Sequence, residues 1–413
     1  MRGRGRPRKG GNGRIRLASG SQSAYTTALV SDPSTTLRSR AWVEVNLDRI
    51  RENALAVRRT VGADVGSIPM VKANAYGLGA AEVVRTLRAT PALDGPWSFG
   101  VAAVAEGEAL RREGWSGRVL VFSPTPHEEF HRAADARLTL CFSDVESVRL
   151  WADEAARLSH PLPFHVEVDT GMGRAGFPWA DAAEWGPRVA EVAEGRLAWE
   201  GVFTHFHSAD EPDPAPTERQ WERFRSALAA LPSSARKALV VHCANSAASV
   251  RRPDLAADAV RPGIFLYGGT VGAEREPAPV AAVRARLVRV ADAAAGSSVG
   301  YGATHTARAP ERWGTLSIGY ADGIPRALWT GGGEALVRGQ RVPIVGRISM
   351  DVTTVELSTV PDAVVGDVVT LIGRDGEEEI TVDEVARRCG TISYEILTGL
   401  TPRLPRVYLG AAG

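Results

Sequence analysis

Residues 68–79, IPMVKANAYGLG, form a short apolar run that ends at Lys72 and continues into a glycine-containing turn. Apolar runs of roughly four to eight residues, bounded by turn residues, are typical of buried strands in parallel sheets. We therefore interpret this stretch as a strand that carries Lys72 to the carboxyl edge of a sheet.

Seven similar apolar runs follow along the chain. The eight candidate strands are 67–73, 98–104, 119–123, 138–142, 164–168, 200–206, 238–243 and 262–267. Stretches rich in Ala, Arg and Glu, with helical spacing, separate most of them, at 80–88, 128–136, 144–158, 180–193 and 217–231. This alternation of strand and helix predicts an α/β fold with an N-terminal (β/α)8 TIM-type barrel.

The helical periods fade after about residue 278. Val-rich runs at 335–338, 342–345 and 368–372 then alternate with turns such as TGGG and GRDG, and a short helical stretch follows at 382–388. The sequence predicts a barrel over 41–278 and a C-terminal, mainly β domain over 279–413.

The composition narrows the class of protein. The chain has 413 residues, of which 44% are hydrophobic and 23% are charged, as in average soluble domains. No apolar run reaches the roughly 20 residues of a membrane-spanning helix. Three cysteines without a CxxC pair argue against a disulfide framework and a thiolate metal site. We expect a cytoplasmic protein with no bound metal and no membrane partner.

The first 40 residues differ from the rest in charge and composition. Seven basic residues and no acidic one lie within residues 1–16, so the remainder of the chain is acidic overall. The Gly/Arg-rich tail is expected to be disordered. Its RGRPRK segment, 4–9, resembles a minor-groove AT-hook. We interpret it as an incidental extension and expect a small-molecule substrate rather than nucleic acid.

Lysine is rare in this chain. Besides Lys9 and Lys237, which lie in polar segments, only Lys72 lies in an apolar run. At the mouth of a barrel, a desolvated amine has a lowered pKa and can act as a nucleophile or a base. The alternative is a lysine that is ion-paired or reaches solvent without a chemical role.

The segments HCANSAASV and RPGIF follow the seventh candidate strand and open the eighth. Asn245 and Ser246 can cap a helix, and Gly263 permits close backbone approach. Phosphate sites in barrels occur at this position, so we expect a phosphorylated carbonyl compound as the partner of Lys72. Ordinary helix capping is the alternative.

Several motifs occur in a consistent order and resemble those of alanine racemases. They are VKANAYGLG, EVDTGMGRAGF, FTHFHSADE, HCANSAAS, AVRPGIFLYG, VGYGATHT, IGYADGIPR, VGRISMDVTTVEL and TISYEILTGLTPRLPRVY, and the resemblance spans about residues 41–408. It implies a pyridoxal 5'-phosphate (PLP) enzyme that interconverts L- and D-alanine and has a barrel and a C-terminal β domain.

The resemblance also implies individual roles. Lys72 matches the lysine that holds PLP and serves as one base, and Tyr301 matches the second base, which reaches the site from the partner subunit of a homodimer. The remaining residues match cofactor contacts (Tyr76, His205, Asn245, Ser246, Arg261, Gly263, Ile264 and Tyr394) and substrate contacts (Arg174, Met350 and Tyr320). Racemisation requires such a pair, because a proton must leave one face of the α-carbon and return to the other.

Two positions depart from the family pattern. Leu78 stands where histidine is common, and Glu167 stands where a lysine, often carbamylated, is common. We expect Glu167 to supply an anion directly and to orient Arg174. An ordinary carboxylate inside the barrel is the alternative.

Three other functions are compatible with parts of the pattern: a racemase of another small amino acid such as serine, a PLP amino-acid decarboxylase of similar architecture, and a catalytically silent PLP-binding scaffold. The positive charge of Arg261, which the resemblance places at the pyridine nitrogen, disfavours the decarboxylase. The presence of Tyr301 and of the whole second domain disfavours the scaffold.

Overall fold

The computed structural model describes residues 39–410. The predictions made for the basic tail, disorder and no role in nucleic-acid binding, therefore fall almost wholly outside the described residues. No helix within 39–410 is long and apolar enough to cross a membrane.

Eight parallel strands form the predicted barrel. The strands are β2 (Gly66–Ser67), β3 (Phe99–Val101), β4 (Val119–Val121), β5 (Thr139–Phe142), β6 (Leu162–Asp169), β8 (Leu197–Phe203), β9 (Val240–His242) and β10 (Ala259–Val260), while β7 (Phe177–Pro178) pairs with β6 alone. Their order around the sheet is β2-β10-β9-β8-β6-β5-β4-β3, and a parallel bridge between Met70 and Gly100 joins the two ends. The predicted fold class is confirmed.

Helices cover the outside of this ring. For example, Asp144 caps the helix Val145–Leu158 by accepting a hydrogen bond from the Ser147 amide. The helices are α1 (Leu47–Val61), α2 (Lys72–Tyr76), α3 (Ala80–Arg88), α4 (Val104–Arg112), α5 (Phe130–Asp135), α6 (Val145–Leu158), α7 (Ala182–Ala193), α8 (Ala215–Ala230), α9 (Ser233–Arg236) and α10 (Ser246–Arg251). Short 3-10 turns occupy Pro91–Leu93, His127–Glu129, Trp179–Asp181, Pro253–Leu255 and Ile264–Tyr267.

Two of the predicted strands are wrong in detail. The eighth strand is β10, whereas the apolar run after Pro262 forms a 3-10 turn, Ile264–Tyr267, whose residues are all buried. A run of consecutive apolar residues indicates a segment that is buried on all sides, but a strand and a short helix can both have such a run. Likewise Lys72 follows the first strand rather than belonging to it, and begins α2.

The C-terminal part is mainly β. Its strands are β11 (Ala281–Ala293), β12 (Ser298–Val299), β13 (His305–Thr306), β14 (Glu311–Leu316), β15 (Glu334–Val337), β16 (Gln340–Pro343), β17 (Thr353–Glu356), β18 (Val368–Asp375), β19 (Glu378–Ile380) and β20 (Arg406–Leu409). Two helices, α11 (Val382–Cys389) and α12 (Ser393–Thr398), and 3-10 turns at Tyr301–Ala303, Tyr320–Asp322 and Arg326–Trp329 complete it.

The first strand, β1 (Ala41–Asn46), lies within the range predicted for the barrel but pairs with the C-terminal sheet. It runs antiparallel to β11 and parallel to β20. The exact domain boundary stays a prediction. Strand β20 also approaches the barrel, because its Arg406 donates to the Gly77 carbonyl at 3.0 Å.

Candidate active site

The candidate site lies where several barrel strands end. Lys72, Arg174, His205, Ser246 and Arg261 each follow the carboxyl end of a different strand. The carboxyl ends of parallel barrel strands face the same mouth, where barrel enzymes hold their reactive groups. The topology therefore brings together residues that are far apart in the sequence.

Lys72 begins a turn with unusual backbone geometry. The next four residues, Ala73 to Tyr76, all have φ between 52° and 55°. Left-handed conformation costs roughly 1–2 kcal/mol for each residue with a β-carbon, and such strain concentrates at functional sites. Backbone bonds stabilise the turn, including Gly77 N to the Ala73 carbonyl at 2.7 Å and Ala75 N to the Val71 carbonyl at 2.8 Å.

The charge state of Lys72 is set by its surroundings. Burial lowers the pKa of its amine, and the positive charges of Arg174 and Arg261 lower it further, while Glu106 opposes them. Glu106 also holds the turn, because its carboxylate accepts a hydrogen bond from the Ala73 amide at 2.6 Å. Nothing in the sequence distinguishes Glu106, which is one of many glutamates in helical segments.

A second group forms a cradle beside Lys72. Ser246 Oγ accepts hydrogen bonds from the amides of Gly263 at 2.7 Å and Phe265 at 3.3 Å, which leaves its own hydrogen free to donate. A β-carbon at Gly263 would lie 2.3 Å from the Tyr76 hydroxyl, so only glycine permits this approach. Ile264 follows at the start of the buried 3-10 turn. Asn245 acts as a helix cap, accepting from the Ala248 amide at 3.0 Å.

Aromatic rings close one side of the cradle. The Tyr76 ring lies 4.7 Å from the Tyr267 ring and 5.9 Å from the Tyr394 ring, measured between centroids. Tyr267 is buried and donates to the Met70 carbonyl at 2.7 Å. Burial raises the pKa of Tyr76 and Tyr394, so both phenols stay protonated and can donate hydrogen bonds. Tyr267 was not singled out in the sequence analysis, because its run read as a strand.

Arg261 is the most constrained charged group of the site. Its guanidinium donates to the carbonyls of Thr204 at 2.9 Å and Cys243 at 3.1 Å. It also donates to His242 Nδ1 at 2.9 Å, and His205 Nδ1 lies 3.3 Å away. Burial lowers its pKa to about 10, which still leaves it charged at neutral pH.

Arg261 determines the state of the neighbouring histidines. A guanidinium only donates, so Nδ1 of His242 must accept, and its Nε2 then carries the proton and donates to His165 Nδ1 at 2.8 Å. Burial lowers the pKa of His165 to about 3, and burial with the charge of Arg261 lowers those of His242 and His205 well below the usual value. All three are therefore neutral at physiological pH.

Glu167 and Arg174 are brought near each other, as expected from the sequence. The nearest oxygen and nitrogen of the pair are 3.9 Å apart, which is longer than a direct hydrogen bond. Glu167 is buried, whereas the Arg174 side chain is 56% exposed at the mouth. Burial raises the pKa of Glu167, and the charges of Arg174 and Arg261 oppose that rise.

The remaining predicted residues lie on the C-terminal domain. Tyr301, Tyr320 and Met350 are 69%, 40% and 52% exposed. The loops that carry the last two are bonded together, through Tyr320 N to the Ser349 carbonyl at 3.1 Å and Ala321 N to the Met350 carbonyl at 3.0 Å. All three side chains are exposed, and none of them takes part in the contacts of the cradle described above.

The sequence matches the N-terminal domain of alanine racemase over residues 45–271 and its C-terminal domain over residues 280–408. The chain belongs to the alanine racemase family. The family resemblance drawn from the motifs is confirmed. The alternatives of a racemase for another small amino acid such as serine, of a decarboxylase and of a catalytically silent scaffold are not favoured.

Individual alanine racemases resemble the chain over nearly its whole length. The alanine racemase of Carboxydothermus hydrogenoformans is 39% identical over 374 residues, covering 89% of this chain and 99% of that protein. That of Nostoc is 36% identical over 375 residues, covering 89% and 95%.

Solved alanine racemase structures share the same architecture. The protein from Clostridium difficile aligns with a TM-score of 0.83 at 31% identity, covering 90% of this chain and 96% of that one. The protein from D-cycloserine-producing Streptomyces lavendulae aligns with a TM-score of 0.82 at 33% identity, covering 90% and 98%.

Proposed function

We propose that this chain interconverts L-alanine and D-alanine at the barrel mouth, with PLP attached to Lys72. The observation that carries the proposal is the amine of Lys72, whose charged form is disfavoured by burial and by two arginines. It lies at the same barrel mouth as the cradle of Ser246 and Gly263. Membership of the alanine racemase family over both domains supports the reaction.

The residues of the site fit PLP. The free hydrogen of Ser246 Oγ and the phenols of Tyr76 and Tyr394 are donors suited to a phosphate, and the missing β-carbon of Gly263 leaves room at the backbone. Ile264 and the cap residue Asn245 complete the cradle. When bound, PLP withdraws electrons from the substrate α-carbon and makes its proton removable.

Two groups control the electronics and the substrate. We assign Arg261 to the pyridine nitrogen, because a fixed positive charge there disfavours protonation of that nitrogen. His205, which is neutral and lies beside Arg261, is assigned to contact the pyridine ring of PLP. Arg174, the exposed guanidinium at the mouth, is assigned to the substrate carboxylate.

Lys72 and Tyr301 are assigned as the two bases. In one direction Lys72 accepts a proton from one face of the α-carbon, which requires the neutral amine that its surroundings favour. In the other direction Tyr301 accepts the proton, and the protonated Lys72 amine returns one. Tyr301 is 69% exposed on the C-terminal domain and would serve the site of a partner subunit in a homodimer. Tyr320 and Met350, on adjoining loops, would then restrict the substrate pocket to small side chains.

A cytoplasmic location completes the proposal. Cys141 and Cys243 are buried, Cys389 is half-buried, and all three are free thiols. Free thiols of this kind suit a reducing compartment.

The test is racemisation with isotope exchange. The PLP-loaded protein is incubated with L-alanine in deuterated water, and we expect loss of optical rotation together with deuterium at the α-carbon. Lys72→Ala should abolish both, whereas Lys237→Ala, at an exposed lysine of a polar segment, should change neither. Retention of activity in Lys72→Ala, or α-exchange without loss of rotation in the unmodified protein, would contradict the proposal.

A further inference from the structure

Gln220 is a buried amide that no catalytic assignment uses. It lies on α8, on the outside of the barrel, with only 1% of its surface exposed. Its Nε2 donates to Thr170 Oγ1 at 3.2 Å and to the His205 carbonyl at 3.0 Å, and its Oε1 accepts from the His207 amide at 3.0 Å. The amide orientation is determined by chemistry, since a carbonyl only accepts and an N–H only donates.

These three bonds join two loops at the barrel mouth. Thr170 begins the loop after β6 that carries Arg174, and His205 and His207 lie in the loop after β8. The two loops meet directly only a little deeper, where the hydroxyls of Thr170 and Thr204 are 2.7 Å apart. Gln220 therefore bridges the outer parts of both loops.

The bridge reaches the arginine at the centre of the site. Thr204, which contacts Thr170, also gives its carbonyl to the Arg261 guanidinium at 2.9 Å. One turn along α8, Arg223 donates to the Thr170 carbonyl at 2.9 Å and lies over the Trp179 ring. The helix thus holds the Arg174 loop at both the side chain and the backbone of Thr170.

We propose that Gln220 is a positioning residue, which holds the Arg174 and His205 loops in one arrangement and thereby sets the affinity of the site for PLP and for the amino acid. The inference rests on the proposed function for those two affinities. A buried amide is costly unless every polar atom is paired, and here both ends of the amide are used on the two loops. Loops gain fixed geometry only from such contacts, because they lack a secondary-structure ladder.

Gln220→Glu is the sharpest variant. It keeps the size and the acceptor for the His207 amide, but replaces the donating nitrogen with an oxygen that faces the His205 carbonyl, which only accepts, and that can bond Thr170 only if the threonine hydroxyl reverses its role and donates. We expect the Kd for PLP, measured by titrating cofactor-free protein, and the KM for alanine each to rise about tenfold or more. Gln340→Glu, the same change at an exposed glutamine of β16, is the control and should leave both values unchanged.

Two further readouts separate positioning from a general loss of packing. The defect of Gln220→Glu relative to the unmodified protein should shrink between about pH 8 and about pH 6, because a protonated carboxyl regains one donor. Amide hydrogen exchange in cofactor-free protein should speed up in residues 170–176 and 204–209, and not across the barrel. The exchange measurement does not depend on the reaction, so it tests the bridge even if alanine is not racemised.

Thr170→Val supplies a second, milder variant that removes one hydroxyl of the bridge at nearly constant volume. If Gln220→Glu does not fold, Thr170→Val should still raise the Kd for PLP and quicken exchange in both loops. A folded Gln220→Glu or Thr170→Val protein with unchanged Kd, unchanged KM and unchanged loop exchange would overturn the inference.

Discussion

At the scale of the residue, the site is organised by which groups are charged. Arg261 keeps its charge although it is buried, because it donates to two carbonyls and two histidines. The histidines around it lose theirs, and Lys72 is driven toward the neutral amine by burial and by Arg174 and Arg261. An amine must be uncharged to accept a proton, so these surroundings suit the role of base proposed for Lys72.

Glu167 supplies the first prediction at this scale. We expect Glu167→Gln to raise the KM for alanine about three- to tenfold with a smaller change in kcat, because Arg174 would lose the anion that orients it. The unmodified enzyme should not depend on added bicarbonate, since the carboxylate is part of the side chain. Steady-state kinetics with and without bicarbonate measure both effects.

The control for Glu167→Gln is Glu146→Gln. Glu146 pairs with Arg149 on an exposed helical face, where such ion pairs contribute little. The control should leave KM unchanged. Unchanged KM in Glu167→Gln as well would show that its carboxylate has no influence on Arg174.

At the scale of the element, α2 is a left-handed turn built without glycine at Ala73 to Tyr76. Its hydrogen bonds continue into Gly77 and Gly79, and the Asn74 side chain accepts from the Ala80 amide at 2.9 Å. The turn ends with the Tyr76 ring against Tyr267 and with Lys72 at the other side. One strained element thus fixes the distance between the amine and the cradle.

Ala73→Gly tests the strain. Ala73 is exposed and has φ of 52°, a conformation that glycine adopts without steric cost, so we expect the free energy of unfolding to rise by about 0.5–1 kcal/mol. Ala156→Gly is the matched control in the right-handed helix α6. There the same change should lower the free energy of unfolding by about 1 kcal/mol. Denaturant unfolding of both variants measures the difference, and equal losses in the two would rule out strain in α2.

At the scale of the whole molecule, the first and last described strands, β1 and β20, tie the barrel to the β domain. Strand β1 enters the C-terminal sheet before the barrel begins. Just before it, Arg40 donates to the buried carboxylate of Asp322 and to the Ser317 carbonyl. Arg403 Nε also lies 3.3 Å from Asp322 Oδ1. The turn that carries Tyr320 is therefore fixed by arginines from two distant parts of the chain.

This cluster predicts sensitivity to acid. Burial alone would raise the pKa of Asp322, but the hydrogen bonds from Arg40 and the Gly319 amide outweigh it and lower the pKa. The stability it contributes is complete above the ordinary aspartate pKa of about 4 and is lost as the pH falls through the lowered value. We expect Asp322→Asn to have a lower free energy of unfolding than the unmodified protein at neutral pH. As the pH falls below about 4, the free energy of unfolding should decrease less in the variant than in the unmodified protein, which denaturation at a series of pH values measures. If the free energy of unfolding decreased equally with falling pH in both proteins, the Asp322 cluster would not be the cause of the acid sensitivity.

The assembly prediction concerns Tyr301. Lys72→Ala and Tyr301→Phe should each be inactive alone. After subunit exchange, a mixed dimer regains one native site, so activity should recover to about a quarter of the normal value if the subunits mix randomly. Activity of the mixture, with exchange verified by mass spectrometry, measures this. No recovery after exchange would contradict a site shared between subunits.

Short-range patterns in the sequence were sufficient for much of the fold and for choosing the candidate site residues, whose roles stay predictions. The period of apolar residues predicted the barrel and placed α3 and α6 within a residue of their observed bounds, because helix amphipathicity and capping are local properties. The rarity of lysine indicated Lys72, and the HCANSAASV and RPGIF segments indicated Ser246 and Gly263, because phosphate cradles need small residues and exposed donors at strand ends.

Tertiary structure alone decided the rest. The segment AWVEVN of β1 reads as an ordinary strand, and its pairing with β11 depends on residues about 240 positions away. The left-handed turn after Lys72 contradicts the preferences of its own residues, so only surrounding contacts can impose it. Gln220 looks like any polar residue of an amphipathic helix until the fold brings two loops to its amide. Local sequence patterns indicate which residues are buried and which secondary structure they prefer. Contacts between residues that are distant in the sequence form only when the whole chain packs, so the sequence patterns could not predict them.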